Sequence, residues 1–271
     1  MNHIFPRIAF AVALAISVSG TAQDVAKPAP SPEQPERTIA EEIAVLEKGR
    51  TSARQRSLAR LGTHPDPAAD GILRKQFDRY RTGELPPALW LDLFQAMAKR
   101  NNAELKALLA ERDAKLAKSP DPLRRFEECL EGGNGEEGRA IFTKKPEAGC
   151  IRCHTVDGKG GQIGPDLTWL RKATERSHIL ESIILPNSNI ALGFESAALT
   201  LKNGETVAGI PRDADSERLD LTSFADGSKR KLKLADIEAR MPLPSPMPPH
   251  FGQALGRRAI RDLVEFLAAG D

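Results

Sequence analysis

Five consecutive residues, Cys150-Ile151-Arg152-Cys153-His154, carry the side chains best suited to chemistry. Two thiols three positions apart can each add across one vinyl group of a porphyrin, and the adjacent imidazole then falls under the iron. Attachment of that kind gives a haem c fixed against its axial ligand, so that an electron arrives and leaves with little reorganisation. Two other readings of the motif are weaker. A structural zinc site needs four closed ligands, and the sequence has neither a second Cys pair nor a His-x-x-x-His to complete one. A redox dithiol opens a helix after a strand, whereas the glycine-rich loop Asp157-Gly158-Lys159-Gly160-Gly161 follows here.

The far side of such an iron needs a second ligand or stays open. Met247, Met241, His178 and His250 are the candidates. A methionine sulfur would favour the ferrous state and raise the potential relative to two histidines. Met247 is the best placed, because Pro246-Met247-Pro248-Pro249 is a rigid loop and rigidity holds a weak ligand. Met241 heads the same proline-rich run. His178 falls in a helix expected over Glu175 to Leu185 and reads as a surface residue, while His250 would need its loop to fold back. Arg171, Lys172 and Arg176 could pair with haem propionates or form a solvated charge run. The third cysteine, Cys129, sits in the helical pattern Arg125 to Leu130 and reads as a small buried hydrophobe rather than a reactive thiol.

The elements that must hold these residues follow from periodicity. Residues 39–132 read as a set of short antiparallel helices, with apolar residues at three- and four-residue spacing in Leu89, Leu93, Ala96 and Met97 and again in Leu105, Leu108, Leu109 and Leu116. Breaks fall at His64-Pro65-Asp66-Pro67, Leu85-Pro86-Pro87 and Ser119-Pro120-Asp121-Pro122. His64 reads as a turn residue at the surface, and Trp90, Phe94 and Met97 as core. Gly132-Gly133-Asn134-Gly135 marks a boundary, and residues 133–271 form a second domain with helices at both ends. Its middle, about 193–240, is expected to be a four-stranded antiparallel insert. Alternation from Phe194 to Leu201 and the turn Asn203-Gly204 give one hairpin, and Asp226-Gly227 joins Leu219–Thr222 to Lys231–Leu234 in another.

Length and composition set the frame. The chain has 271 residues, enough for one to two domains with cores of their own. Lys and Arg number 39 against 37 Asp and Glu, a net charge of +2, which argues against nucleic-acid binding and against attraction to an anionic membrane surface. Residues 1–22 read as a signal peptide, with Arg7 ahead of the apolar run Ile8–Val18 and the small residues Gly20-Thr21-Ala22 at the cleavage site. That run is shorter than the roughly 20 residues a membrane span needs, so no integral span is expected once the signal is cleaved. Residues 23–38, rich in Pro, Ala and charge, read as a disordered linker.

The second domain resembles class I cytochromes c. Gly138 and Phe142 match the glycine and aromatic of the first helix in that family, and Ile260, Leu263, Val264 and Leu267 supply the face of a last helix able to cross it. Ile163-Gly164-Pro165-Asp166-Leu167 matches the loop that packs on the haem, which implies that the Pro165 carbonyl accepts a hydrogen bond from the proximal imidazole. Met247 stands where that family carries its axial methionine.

The ordered motifs Gly138–Phe142, Cys150–His154, Gly164–Leu167, Glu181–Pro186, Thr200–Gly204, Met247–Pro249 and Arg261–Leu267 resemble more narrowly the C-terminal haem-binding domain of large exported proteins of planctomycetes. There the domain commonly follows HEAT-like helical repeats or a propeller resembling sugar dehydrogenases. Only helices precede it here. The fold class expected is therefore mainly α, a helical-repeat-like module followed by a class I-like cytochrome c domain with a small antiparallel β insert.

The function this implies is that of an exported, periplasmic monohaem carrier of single electrons, a protein more of transfer than of catalysis. Its partners would be redox proteins, with an exported dehydrogenase as donor and a respiratory acceptor. A haem enzyme or gas sensor with an open distal site is the first alternative, with Arg176 or His178 as distal acid-base groups. A binding module with an accessory haem is the second.

Overall fold

The computed structural model of the protein describes residues 37–170 and 174–269. The stretches read from sequence as a signal peptide and as a linker, up to Glu36, lie outside the described residues, as do Arg171 and Lys172. Thr38, placed in the linker by sequence, already belongs to the first helix: its hydroxyl caps the Glu41 N–H while the Glu41 carboxylate accepts from the Thr38 N–H.

Five helices follow, α1 (Ile39–Lys48), α2 (Thr51–Leu61), α3 (Ala68–Arg81), α4 (Trp90–Lys99) and α5 (Ala103–Ala117). The proline clusters fall in the breaks between α2 and α3, between α3 and α4, and after α5, because a proline deep in a helix loses a hydrogen bond and clashes with the preceding turn. Leu58, Leu61, Leu73, Leu89, Leu93, Met97 and Leu105 make the buried centre of this part. Phe94 is buried there, and Trp90 packs against the cluster with its indole N–H donating to the Leu85 carbonyl at 2.9 Å. His64 sits in the turn between α2 and α3, with Nε2 3.0 Å from the Arg37 carbonyl. A 3-10 segment, Pro122–Cys129, then leads out. Cys129 is fully buried, its thiol donating to the Arg257 carbonyl at 3.4 Å.

In the C-terminal part, α6 (Gly135–Lys144) begins on Asn134, whose side chain accepts from the N–H groups of Glu136 and Glu137. It crosses the last helix, α10 (Gly256–Ala268), at Gly138. Between them come α7 (Cys150–Cys153), the two-stranded ladder β1 (Thr155–Val156) with β2 (Lys159–Gly160), α8 (Arg176–Ile184), a five-stranded sheet and the short α9 (Phe251–Ala254). Phe142, Leu167, Ile179, Leu180, Ile183, Ile260, Leu263, Val264 and Leu267 form one core cluster here. The architecture is mainly α with a small antiparallel insert, as the sequence implies.

The insert has one strand more than expected. Its order is β6 (Lys229–Lys233), β5 (Arg218–Ser223), β4 (Thr206–Asp213), β3 (Ser196–Leu201) and β7 (Ile237–Leu243), all antiparallel. Both hairpin turns fall where the sequence puts them, with Gly204 and Gly227 at positive φ. The added strand, β7, carries Pro242, a residue that argues against a central strand but is tolerated at an edge, where one side of the backbone needs no partner. Met241 lies within β7 opposite Ala198, 61 % exposed. No helix among the described residues is long and apolar enough to cross a membrane.

Candidate functional site

The two thiols and the imidazole come from one short turn. Gly149 enters α7 at a φ of 58°, a conformation costly for other residues, and the single helical turn that follows sets Cys150 and Cys153 on one side, as residues three apart must be. Neither cysteine is in a disulfide. Burial pushes the Cys150 thiol up to about 11 and raises Cys153 as well, so both are thiols near neutrality. His154 leaves the helix in extended conformation, its N–H still donating to the Cys150 carbonyl at 2.9 Å.

A loop is laced onto this turn by backbone bonds. Gly161 N–H donates to the Ile151 carbonyl at 2.9 Å, Gly164 N–H to Cys153 at 2.7 Å, and Leu167 N–H to Thr155 at 2.8 Å. The Thr155 hydroxyl adds a bond to the Gly161 carbonyl at 2.8 Å. The approach is so close that Gly161 and Gly164 have no room for a side chain. A Cβ at Gly161 would lie 2.7 Å from the Arg152 carbonyl carbon, and one at Gly164 within 2.5 to 2.9 Å of three imidazole ring atoms of His154.

The outcome is a fixed imidazole. His154 Nδ1 lies 3.0 Å from the Pro165 carbonyl. A carbonyl can only accept, so Nδ1 carries the proton and Nε2 keeps the lone pair that a metal would use. Burial lowers the His154 pKa and so favours the neutral ring, against the opposing pull of the Pro165 bond, which raises it. Nε2 makes no hydrogen bond among the described residues. Two unbridged thiols, an oriented neutral imidazole and a loop pressed on its ring fit a haem c, which needs two thioether links and one nitrogen ligand.

The other residues singled out by sequence separate. Met247 is half-buried and packs against the core cluster that Cys150 and Ile151 also border. Met241 is turned outward on its strand. His250 is exposed beside Phe251, and His178 is a surface residue with Nδ1 3.6 Å from Glu181. Arg176 is spent elsewhere: its guanidinium holds Glu265 at 2.7 and 3.0 Å and donates to the Leu130 carbonyl. The propionate role considered for Arg176 thus gives way to a tie between α8 and α10. Sequence reasoning missed Gly161 and the hydroxyl of Thr155; the glycine-rich stretch was the signal, read only as a loop.

A pair of helices crossed at a glycine, with a thiol–thiol–imidazole turn hung from the first of them, defines the class, a helical domain of the type that carries haem. The sequence profile of the family described as Cytochrome c matches residues 135–271, just over half of the chain, and the chain belongs to that family. Membership implies covalently bound haem c and haem-based electron transfer. No curated protein matches the chain.

Proposed function

We propose that the chain is an exported monohaem cytochrome that takes single electrons from a separate dehydrogenase and passes them to a respiratory acceptor. Cys150 and Cys153 are the attachment points, His154 the proximal ligand and Met247 the distal one. When bound, the haem supplies a one-electron couple at its iron. The chain's own residues set that couple. Pro165 holds the Nδ1 proton and thereby strengthens Nε2 as a donor, and Gly164 lets the loop close on the ring. The observation that carries the reading is the hydrogen bond between His154 and Pro165 with Gly164 against the ring, because it leaves one free nitrogen beside two free thiols.

The resemblance to planctomycete-type domains supports export and a separate donor, and the HEAT-like helices of residues 39–132 would serve to recruit partners. A catalyst with an open distal site has lost support, since Arg176 is engaged with Glu265 and His178 lies at the surface near Glu181. The test is a mass and a spectrum of the exported protein. One haem per chain, low spin in both oxidation states, with a far-red sulfur-to-iron band that Met247→Ala abolishes, is expected. A high-spin ferrous form that binds carbon monoxide at once would overturn the reading.

A further inference from the structure

The segment Pro244-Ser245-Pro246-Met247-Pro248-Pro249 contains four prolines and so only two backbone N–H groups, those of Ser245 and Met247. Such a loop cannot be held by a backbone ladder. Among the described residues two side chains anchor it from outside, and one further bond lies within it. The Ser196 hydroxyl donates to the Pro244 carbonyl at 2.8 Å, with the Leu243 carbonyl at 3.4 Å beside it. The Asn187 side-chain oxygen accepts from Ser245 N–H at 2.7 Å. The Ser245 hydroxyl then accepts from Met247 N–H at 3.2 Å. Both N–H donors of the segment are therefore satisfied, and both outside anchors are side chains.

Those side chains stand on rigid ground. Ser196 is 3 % exposed at the start of β3, paired with Leu243 at the end of β7, so the sheet delivers the loop's first residue from a fixed register. Asn187 lies in the turn that closes α8, whose Ile183 and Ile184 belong to the core cluster. The loop is strapped to the sheet on one side and to α8 on the other.

We propose that the β insert and the turn after α8 together brace the distal-ligand loop, with Ser196 on the insert and Asn187 on the turn as the positioning residues that hold Met247 at its place. The inference rests on Met247 being the distal ligand. It gives the insert a task that a bare sheet on a cytochrome would not have: the strength with which Met247 holds the iron against competing ligands is set by two polar side chains outside the loop.

The experiment uses the full-length holoprotein with Ser196→Ala, Asn187→Ala, Asn187→Asp and Met247→Ala. Ser196→Ala and Asn187→Ala each remove one anchor, so in either the ferrous protein should take up carbon monoxide about tenfold more readily, as about 1.4 kcal/mol of lost anchoring implies. The far-red sulfur band should weaken and the midpoint potential fall. Asn187→Asp, which keeps the accepting oxygen, should restore all three. Circular dichroism separates this from loss of fold, and if Ser196→Ala does not fold, the exposed Asn187 carries the test alone. Carbon monoxide uptake and sulfur band unchanged in the alanine variants, with the band lost in Met247→Ala, overturn the brace and leave the ligand assignment standing. A band that persists in Met247→Ala overturns the ligand assignment, and the brace with it.

Discussion

Gly164 lies against His154 so closely that a Cβ built on it would sit 2.5 Å from Cε1 and 2.7 Å from Nδ1 of the imidazole. The next residue, Pro165, supplies the carbonyl that holds Nδ1, so the ring cannot retreat from Gly164 and keep that bond. Gly164→Ala should therefore rotate the ring or lift the loop. We expect holoprotein with a shifted midpoint potential and about 1–3 kcal/mol less stability, the range for forcing a methyl into a packed site. Potentiometry together with urea unfolding checks both, and wild-type values in each would show that the loop yields freely.

Gly138 performs the same service for the helix crossing. A Cβ there would lie 2.7 Å from the Phe266 Cβ and closer still to the Asp262 carbonyl, both on α10. Gly138→Ala should cost about 3 kcal/mol by pushing α6 from α10. Gly135 offers an internal control on the same helix: its Cβ would find only an ordinary contact, 3.9 Å from the Phe266 Cα. Gly135→Ala should be close to neutral in the same thermal unfolding assay. Alanine is the better helix former, so equal losses at the two positions could not come from helix propensity and would mean that the close approach at Gly138 does not set the cost.

These two glycines mark how far the sequence could be read. Gly138, Phe142 and the stripe Ile260, Leu263, Val264 and Leu267 are legible because a helix repeats its face every three or four residues. The turn Cys150–His154 is legible because its spacing is local. What could not be read joins distant positions through residues of common type. Ser196 and Asn187 lie 48 and 58 residues from their partners in the loop, and nothing in a lone serine or asparagine announces an anchor. Strand β7 was missed because Pro242 speaks against a strand until the strand is known to lie at an edge. Arg176 was read with its cationic neighbours rather than with Glu265, 89 residues away.

Cys129 gives the protein a specific alkaline weakness. Burial pushes its thiol up to about 12 from an ordinary 9.0, so between these values the unfolded chain has lost a proton that the folded chain keeps. The unfolded state then binds fewer protons, and stability must fall as pH rises, by up to about 1.4 kcal/mol for each pH unit in that window. Below pH 9 both states are protonated and the effect vanishes. With Cys150 and Cys153 spent on attachment, as proposed, Cys129 would be the remaining thiol of the three. Urea unfolding on either side of pH 9 should show a decline in the wild type that is shallower in Cys129→Ala; parallel curves would refute it.

The helical part is fastened to the cytochrome part by buried charge. Asp92 on α4 is 2 % exposed and is held by Arg261 at 2.7 Å and Arg258 at 2.8 Å, both from α10. Glu128, equally buried, binds Arg112 from α5 and Arg257 from α10, each at 2.8 Å. Between the two parts, Gly132 and Gly133 are not a slack link: Cβ atoms on them would collide with Ala88 and with the Arg261 backbone. Removing Asp92 would strand Arg261, itself 3 % exposed with its Nε already without a partner. Asp92→Ala should therefore cost about 3–5 kcal/mol, the penalty of a buried charge left uncompensated. Adding Arg261→Met to it should recover much of that loss, because the stranded charge goes too. If the double variant is as unstable as the sum of its singles, Asp92 and Arg261 act independently and the fastening lies in the apolar contacts around them.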